Sequence, residues 1–268
     1  MTNNQKEKPT VWKKIGSDLL INISKLVLSI TFILSGFVKI VDPLGTQYKI
    51  ADYIEAMGLQ QYAPDILTLA LSVIISSVEF ILGICLLFAI HRRVVSRLIL
   101  VFMIVMTMIT MWLAVENPIS DCGCFGDAIK LTNWQTFWKN VVLLIAAVFI
   151  SYRPLAMLRF ISLANQWIVL HYSVVFILVT AGYSLYSLPL FDFRPYHIGA
   201  DIKKGMEIPE GAPQPQFETT FIMESKTGER KEFTIDNYPD STWTFIDSKT
   251  VQISDGYVPP ITDFSIID

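Results

Sequence analysis

Five apolar stretches, each near the roughly 20 residues a helix needs to cross a bilayer, leave this chain few folds to choose from. They run from about Leu19 to Ile40, Ile66 to Ile90, Val94 to Val115, Phe137 to Tyr152 and Trp167 to Leu188. The fourth is the shortest, and Thr132-Asn133-Trp134-Gln135 extends it with a helix-start signature, a threonine hydroxyl and a glutamine three residues on that cap orphan backbone donors. Composition agrees: 52% of the 268 residues are hydrophobic and only 17% are charged. An odd number of spans places the two termini on opposite sides of the membrane.

Lysines and arginines set the orientation, because short cytoplasmic segments carry the excess of them. Lys6, Lys8, Lys13 and Lys14 precede the first span, Arg92, Arg93 and Arg97 join the second to the third, and Arg153 and Arg159 join the fourth to the fifth. The opposite connections carry Asp42, Asp52, Glu55, Asp65, Glu116, Asp121 and Asp127 against few cations. The amino terminus is therefore expected in the cytoplasm. The first apolar run is too long for a cleavable signal and lacks a small-residue cleavage site, so it reads as an uncleaved anchor. The outer compartment is then the periplasm of a bacterium, where disulfides persist, and the protein is expected in the inner membrane. A net charge of -3 with no basic, aromatic patch gives no footing for nucleic acid.

Past Leu188 the composition changes. Gly199 to Pro215 contains Ile208-Pro209-Glu210-Gly211-Ala212-Pro213-Gln214-Pro215, a stiff extended linker. Phe217, Thr219, Phe221 and Met223 then alternate with other residues, Lys226-Thr227-Gly228-Glu229 has turn chemistry, and Phe233 and Ile235 resume the alternation. Thr242 to Asp247, Thr250 to Ser254 and Ile261 to Ile267 are further strand candidates, so the tail reads as a small antiparallel sheet. So few strands are marginal alone, and the pattern running up to Asp268 suggests a natural chain that continues. The expected organisation is a cytoplasmic segment 1–18, a four-helix membrane domain 19–155, a cytoplasmic loop and fifth span 156–190, and an outer linker with a small β-rich domain 191–268. The fold class is thus an all-α integral membrane bundle of four helices plus a fifth, followed by a small β-rich extracytoplasmic tail.

Chemistry concentrates in Asp121-Cys122-Gly123-Cys124-Phe125-Gly126-Asp127, which places two of three cysteines one residue apart between two apolar runs. A disulfide across one residue closes a very small ring and restrains almost no unfolded chain, so a stabilising role is poorly supported. Strained, exposed disulfides accept an attacking thiolate readily, and Gly123 and Gly126 give the backbone freedom to bend. Thiol exchange is the reading favoured, with a metal pair or a static disulfide as alternatives. Asp121 and Asp127 disfavour a thiolate unless something offsets them, which makes the disulfide the resting form; they also suit turn or cap positions. Zinc would need more ligands. His91 and His171 fall on the cytoplasmic side, leaving His197 with Asp121 and Asp127. Cys85, in the cytoplasmic half of the second span, reads as a buried thiol acting as a small hydrophobe.

Glu79 stands inside the second apolar run, where a carboxyl marks function by default, as a proton relay or a contact to a quinone head group, or else ties two helices together. Lys39, near the outer end of the first span, is explained by snorkelling to the interface. Trp112, Trp134 and Trp138 suit an interfacial belt. Tyr48, Ile50, Tyr53, Ile54, Met57 and Leu59 are spaced like one face of a short amphipathic helix lying over the bundle.

Ser35-Gly36-Phe37-Val38-Lys39-Ile40-Val41-Asp42-Pro43, Glu79 and the Cys-Gly-Cys loop together resemble the DoxX and MauE families of bacterial membrane proteins over about the first 155 residues. The resemblance implies a four-helix bundle associated with thiol redox work, disulfide formation in periplasmic enzymes for MauE-like members and thiosulfate oxidation feeding quinone for DoxX-like ones. It carries over Cys122 and Cys124 as the redox pair, with Lys39 and Glu79 as core polar residues. The chain is also similar to Bacteroidetes members that add a fifth span and an outer thioredoxin-like domain, which is not completed here. Thiol oxidases of the DsbB and vitamin K epoxide reductase type use two cysteine pairs, whereas this chain has one. The expected function is a membrane thiol-disulfide oxidoreductase, or its membrane component. Cys122, Cys124, Glu79 and Lys39 would be its catalytic set, a redox-active disulfide and a quinone its cofactors, and a periplasmic thioredoxin-like or other thiol protein its partner, within the lipid bilayer and a membrane complex. The rivals are a non-catalytic scaffold subunit of an envelope complex and a metal-binding membrane protein.

Overall fold

A computed structural model describes residues 11–59, 61, 63–119, 122–129, 131–187, 189–192, 197, 199–212, 214, 216–225, 230–234, 237, 243–254, 256, 257, 259 and 261. The chain divides into two compact units, 1–194 and 195–268.

The first unit holds helices α1 (Val11–Val41), α2 (Pro43–Ala56), α3 (Asp65–Leu87), α4 (Arg92–Glu116), α5 (Asn133–Tyr152) and α6 (Gln166–Tyr186), with a short extended segment β1 (Cys124–Asp127) between α4 and α5. Five of these helices, all except α2, are long and apolar enough to cross a membrane. Their ends follow from local chemistry. Asp42 breaks α1 from α2: Pro43 takes the first helical position, where a missing N–H costs nothing, and Asp42 Oδ1 accepts from Gly45 N at 3.0 Å. The expected start of α5 is a complete capping box, Gln135 N donating to Thr132 Oγ1 at 3.3 Å and Thr132 N to Gln135 Oε1 at 3.1 Å. Asn117, in the left-handed region at φ 48°, closes α4.

Between membrane helices lipid offers no hydrophobic drive, so close packing decides who neighbours whom. α1 and α3 show this reciprocally. A Cβ on Gly36 would fall 2.6 Å from Phe80 N, and one on Gly83 would fall 2.7 Å from Ile33 N, so each glycine admits the other helix. Ser29, Ser72 and Ser76 are fully buried. Leu28, Phe32, Leu86, Ile90, Ile99, Ala147 and Ile150 form the main core among α1, α3, α4 and α5. α6 adds to the α1–α3 face through Phe176, whose ring stacks on Phe80 at 5.4 Å and Phe37 at 6.2 Å. Leu19, Ile74, Val101, Met108, Val142 and Leu178 stay exposed on the outside, as lipid-facing side chains must.

The basic connections gather at one end of the bundle. Arg92 Nη1 donates to Leu155 O and Met157 O, Arg153 pairs with Asp18 at 3.1 Å, and Lys25, 1% exposed, donates to Leu87 O at 3.1 Å and Leu158 O at 3.0 Å. The Cys-Gly-Cys loop lies at the other end, beside α1 and α2. α2 is shorter than the expected amphipathic stretch, ending at Ala56 before Met57 and Leu59. Pro43, Gly45 and Thr46 are its buried residues, while Tyr48 is 56% exposed. Polar contacts seat it on α3, with Ser72 Oγ donating to Pro43 O at 2.7 Å and Gln47 Nε2 to Thr68 Oγ1 at 3.3 Å.

The second unit contains a one-turn helix α7 (Ile202–Gly205), capped by Asp201 Oδ1, just before the segment 208–215 expected to be extended. Its sheet has the order β3-β2-β4, all antiparallel, from β2 (Gln216–Ser225), β3 (Arg230–Thr234) and β4 (Trp243–Ser254). The two strands expected over 242–247 and 250–254 are one continuous strand, because β2 is long enough to pair along both. Ile261 is buried but not in a strand, and 262–267, like the turn expected at 226–229, lies outside the described residues.

Candidate functional site

The loop that carries Cys122 and Cys124 is held from two sides by its own carbonyls. Tyr53 of α2 donates from its hydroxyl to Cys122 O at 2.6 Å, and Ser35 of α1 donates to Cys124 O at 2.5 Å. Between them the chain turns at Gly123 (φ 60°) and again at Gly126 (φ 56°), with Gly126 N donating to Gly123 O at 2.9 Å. Positive φ suits glycine alone at little cost, and a Cβ on Gly123 would also meet Lys49 Cγ at 2.8 Å. The two sulfur atoms lie 2.50 Å apart and the Cα atoms 5.4 Å apart. Cys122 is buried and Cys124 half-buried.

Beside the loop, within the bundle, is a cavity of about 30 Å³, room for one or two waters. Its lining includes Cys124, Phe125, Ser35, Lys39, Glu79, Lys139 and Asn140. Lys39 Nζ donates to Glu79 Oε2 at 2.7 Å, with both side chains under a tenth exposed. This corrects the expectation that Lys39 snorkels to the interface. Lys39 stands one turn past Gly36 and Glu79 directly before Phe80, so the close approach of α1 and α3 at those residues brings the two charges together. The alternative for Glu79, tying two helices, is what its geometry does.

Two residues here were passed over in the sequence. Lys139, on α5, sets its ammonium 4.3 Å from the centroid of the Phe125 ring, and the neighbouring Asn140 donates to Thr110 Oγ1 at 3.2 Å. Lys139 stands inside the fourth apolar run, and the reasoning that singled out Glu79 would have found it; Lys25 is the same case in the first run. Tyr53 was read only as an apolar position. Formal charges around the cavity sum to plus one, from Lys39, Glu79 and Lys139.

Of the remaining expectations, Cys85 is a buried free thiol. Trp134 and Trp138 are exposed on α5, as interfacial rings would be. Asp121 and the side chain of Asp127 lie outside the described residues, and His197 belongs to the second unit. Among the described residues no three histidine, cysteine or carboxylate side chains converge as a metal site would require.

Residues 217–255 match a domain of unknown function (DUF8463), and residues 17–153, more than half of the chain, match the family described as methylamine utilisation protein MauE. No curated protein and no solved structure matches. The MauE match spans α1 to α5 together with the cysteine loop, in agreement with the resemblance drawn from Ser35 to Pro43, Glu79 and the Cys-Gly-Cys sequence, and the chain therefore belongs to the MauE family of multi-pass membrane proteins.

Proposed function

We propose that this chain is the membrane component of a thiol-disulfide exchange system, with Cys122 and Cys124 as its redox pair. The observation that carries the reading is the Cys122–Cys124 disulfide in a loop anchored by Ser35 and Tyr53, next to a cavity lined by Lys39, Glu79 and Lys139. A loop that only covered the bundle would have no need of buried charge beside it, since such groups are costly within a membrane.

In the forward direction a soluble dithiol protein reduces the pair. Its thiolate attacks one sulfur, the Cys122–Cys124 bond breaks, and a mixed disulfide forms while the other cysteine leaves as a thiolate. The partner's second thiol then displaces the membrane cysteine, so two electrons and two protons pass to the pair and the partner leaves oxidised. Reoxidation returns both electrons to a quinone or to a second thiol protein. The basic end of the bundle, with Arg92, Arg93, Arg153 and Arg159, belongs on the cytoplasmic side of a bacterial inner membrane, and the cysteine loop and the β unit belong in the periplasm.

The test is the redox state of Cys122 and Cys124 in intact cells, read by acid quenching and mass-tagged maleimide, before and after respiration is blocked. Accumulation of the reduced pair supports exchange drained by quinone. Reduction by a thiol donor with no response to respiration points to a second thiol protein. A state that answers to neither, or a Cys122→Ser, Cys124→Ser variant that still supports its partner, overturns the reading in favour of a scaffold.

A further inference from the structure

We infer that Lys139 is the counter-cation that holds Cys124 as a thiolate once the Cys122–Cys124 bond is broken. The inference rests on the exchange reading above for its biological meaning, but its physical content stands on the cavity alone.

In the sequence Asp121 and Asp127 bracket the pair, and negative charge near a cysteine disfavours its thiolate unless a cation offsets it. Lys139 lines the same cavity as Cys124 and rests on the ring of Phe125, the next residue. The other cation that lines the cavity, Lys39, is already committed to Glu79 at 2.7 Å. Lys139 has no carboxylate partner among the described residues, and its recorded contact is the aromatic face. A cation on a ring keeps its charge available while losing part of its water. Its nearest demand for an anion is the one reduction would create at Cys124.

Among the described residues, the titratable groups around Cys124 are Lys39 from α1, Glu79 from α3 and Lys139 from α5, which line its cavity, with Lys49 and Tyr53 of α2 against the neighbouring residues of the loop. Glu79 alone among these opposes an anion, and Lys39 neutralises it. A leaving thiol stabilised as its thiolate leaves faster. The incoming thiolate therefore attacks Cys122, forming the mixed disulfide there, and the electron pair of the broken S–S bond stays on Cys124.

The test uses the full-length protein in detergent, with Cys122→Ser so that Cys124 is a free thiol. Its alkylation by iodoacetamide is followed against pH on the peptide that carries residue 124. Relative to this parent, Lys139→Met is expected to raise the pH midpoint by about one unit or more, Lys139→Arg to restore it, and Glu79→Gln to lower it by freeing the charge of Lys39. The urea-unfolded parent gives the reference for an unfolded variant, and Lys139→Gln, which keeps a polar end without the charge, decides the matter if Lys139→Met merely unfolds. Equal midpoints for parent and Lys139→Met while both remain folded, or a Glu79→Gln shift upward, overturn the inference. No partner or acceptor takes part in this measurement. Its failure thus leaves cellular redox cycling of the pair untouched, and failure of cycling leaves this electrostatic result standing.

Discussion

Replacing Lys39 with methionine removes one half of a buried pair and leaves Glu79 without the cation that donates to it at 2.7 Å. At the observed 2.7 Å the attraction is about 6 kcal/mol for an effective dielectric near 20. Each ion gave up several kcal/mol of hydration to enter the bundle, so the intact pair contributes little net stability. Breaking it is another matter, because the desolvation stays and the attraction goes. Lys39→Met and Glu79→Met are each expected to cost roughly 3–5 kcal/mol, whereas the double variant, with two apolar side chains of similar length, is expected to return to within about 1 kcal/mol of the parent. A double-mutant cycle on reversible unfolding in mixed micelles with sodium dodecyl sulfate measures this directly. Single variants within about 1 kcal/mol of the parent, or a double variant as unstable as the sum of the singles, would refute the claim that these residues form a buried, coupled pair. The same double variant also separates structure from chemistry. If it folds as well as the parent yet its Cys122–Cys124 bond is reduced more slowly by dithiothreitol, the charges act on the exchange and not only on packing.

Gly36→Ala is expected to force α1 and α3 apart, because its Cβ would lie 2.6 Å from Phe80 N; the cost is roughly 1–3 kcal/mol in the same micelle assay, and a neutral effect would contradict the packing described. Tyr53→Phe removes the donor to Cys122 O, a loss of about 1 kcal/mol at the loop. It should speed reduction of the pair by dithiothreitol without moving the global unfolding midpoint, and an unchanged rate would show that Tyr53 does not anchor the loop.

How legible the molecule was follows from the range over which each feature is determined. Apolar run length is a property of contiguous sequence, so the five spans were readable to within a few residues at most ends, as was the capping box at Thr132 and Gln135, whose partners are three residues apart. The strand alternation in the tail was readable too, although the merging of two expected strands into β4 was not, since continuity depends on a partner strand elsewhere in the chain. The cysteine loop declared itself because both sulfurs sit within three consecutive residues. Lys139 was legible as a charge inside the fourth apolar run, but its place beside Cys124 and Phe125 was not, because that depends on how α5 packs.

The sequence by itself therefore determined the class of molecule, the approximate spans, the segregation of basic residues to alternate connections and the identity of the cysteine pair, all of which depend on local composition or short spacing. Only the tertiary structure decided that Lys39 is buried on Glu79, that Ser35 and Tyr53 hold the loop carbonyls, and that Lys139 shares a cavity with Cys124. These contacts join residues 40 or more positions apart, except for Lys139, which is near Cys124 in sequence but separated from it by a turn. The Lys39–Glu79 contact exists because Gly36 and Gly83 let α1 and α3 approach closely, and the others because packing brings α1, α2 and α5 to the loop.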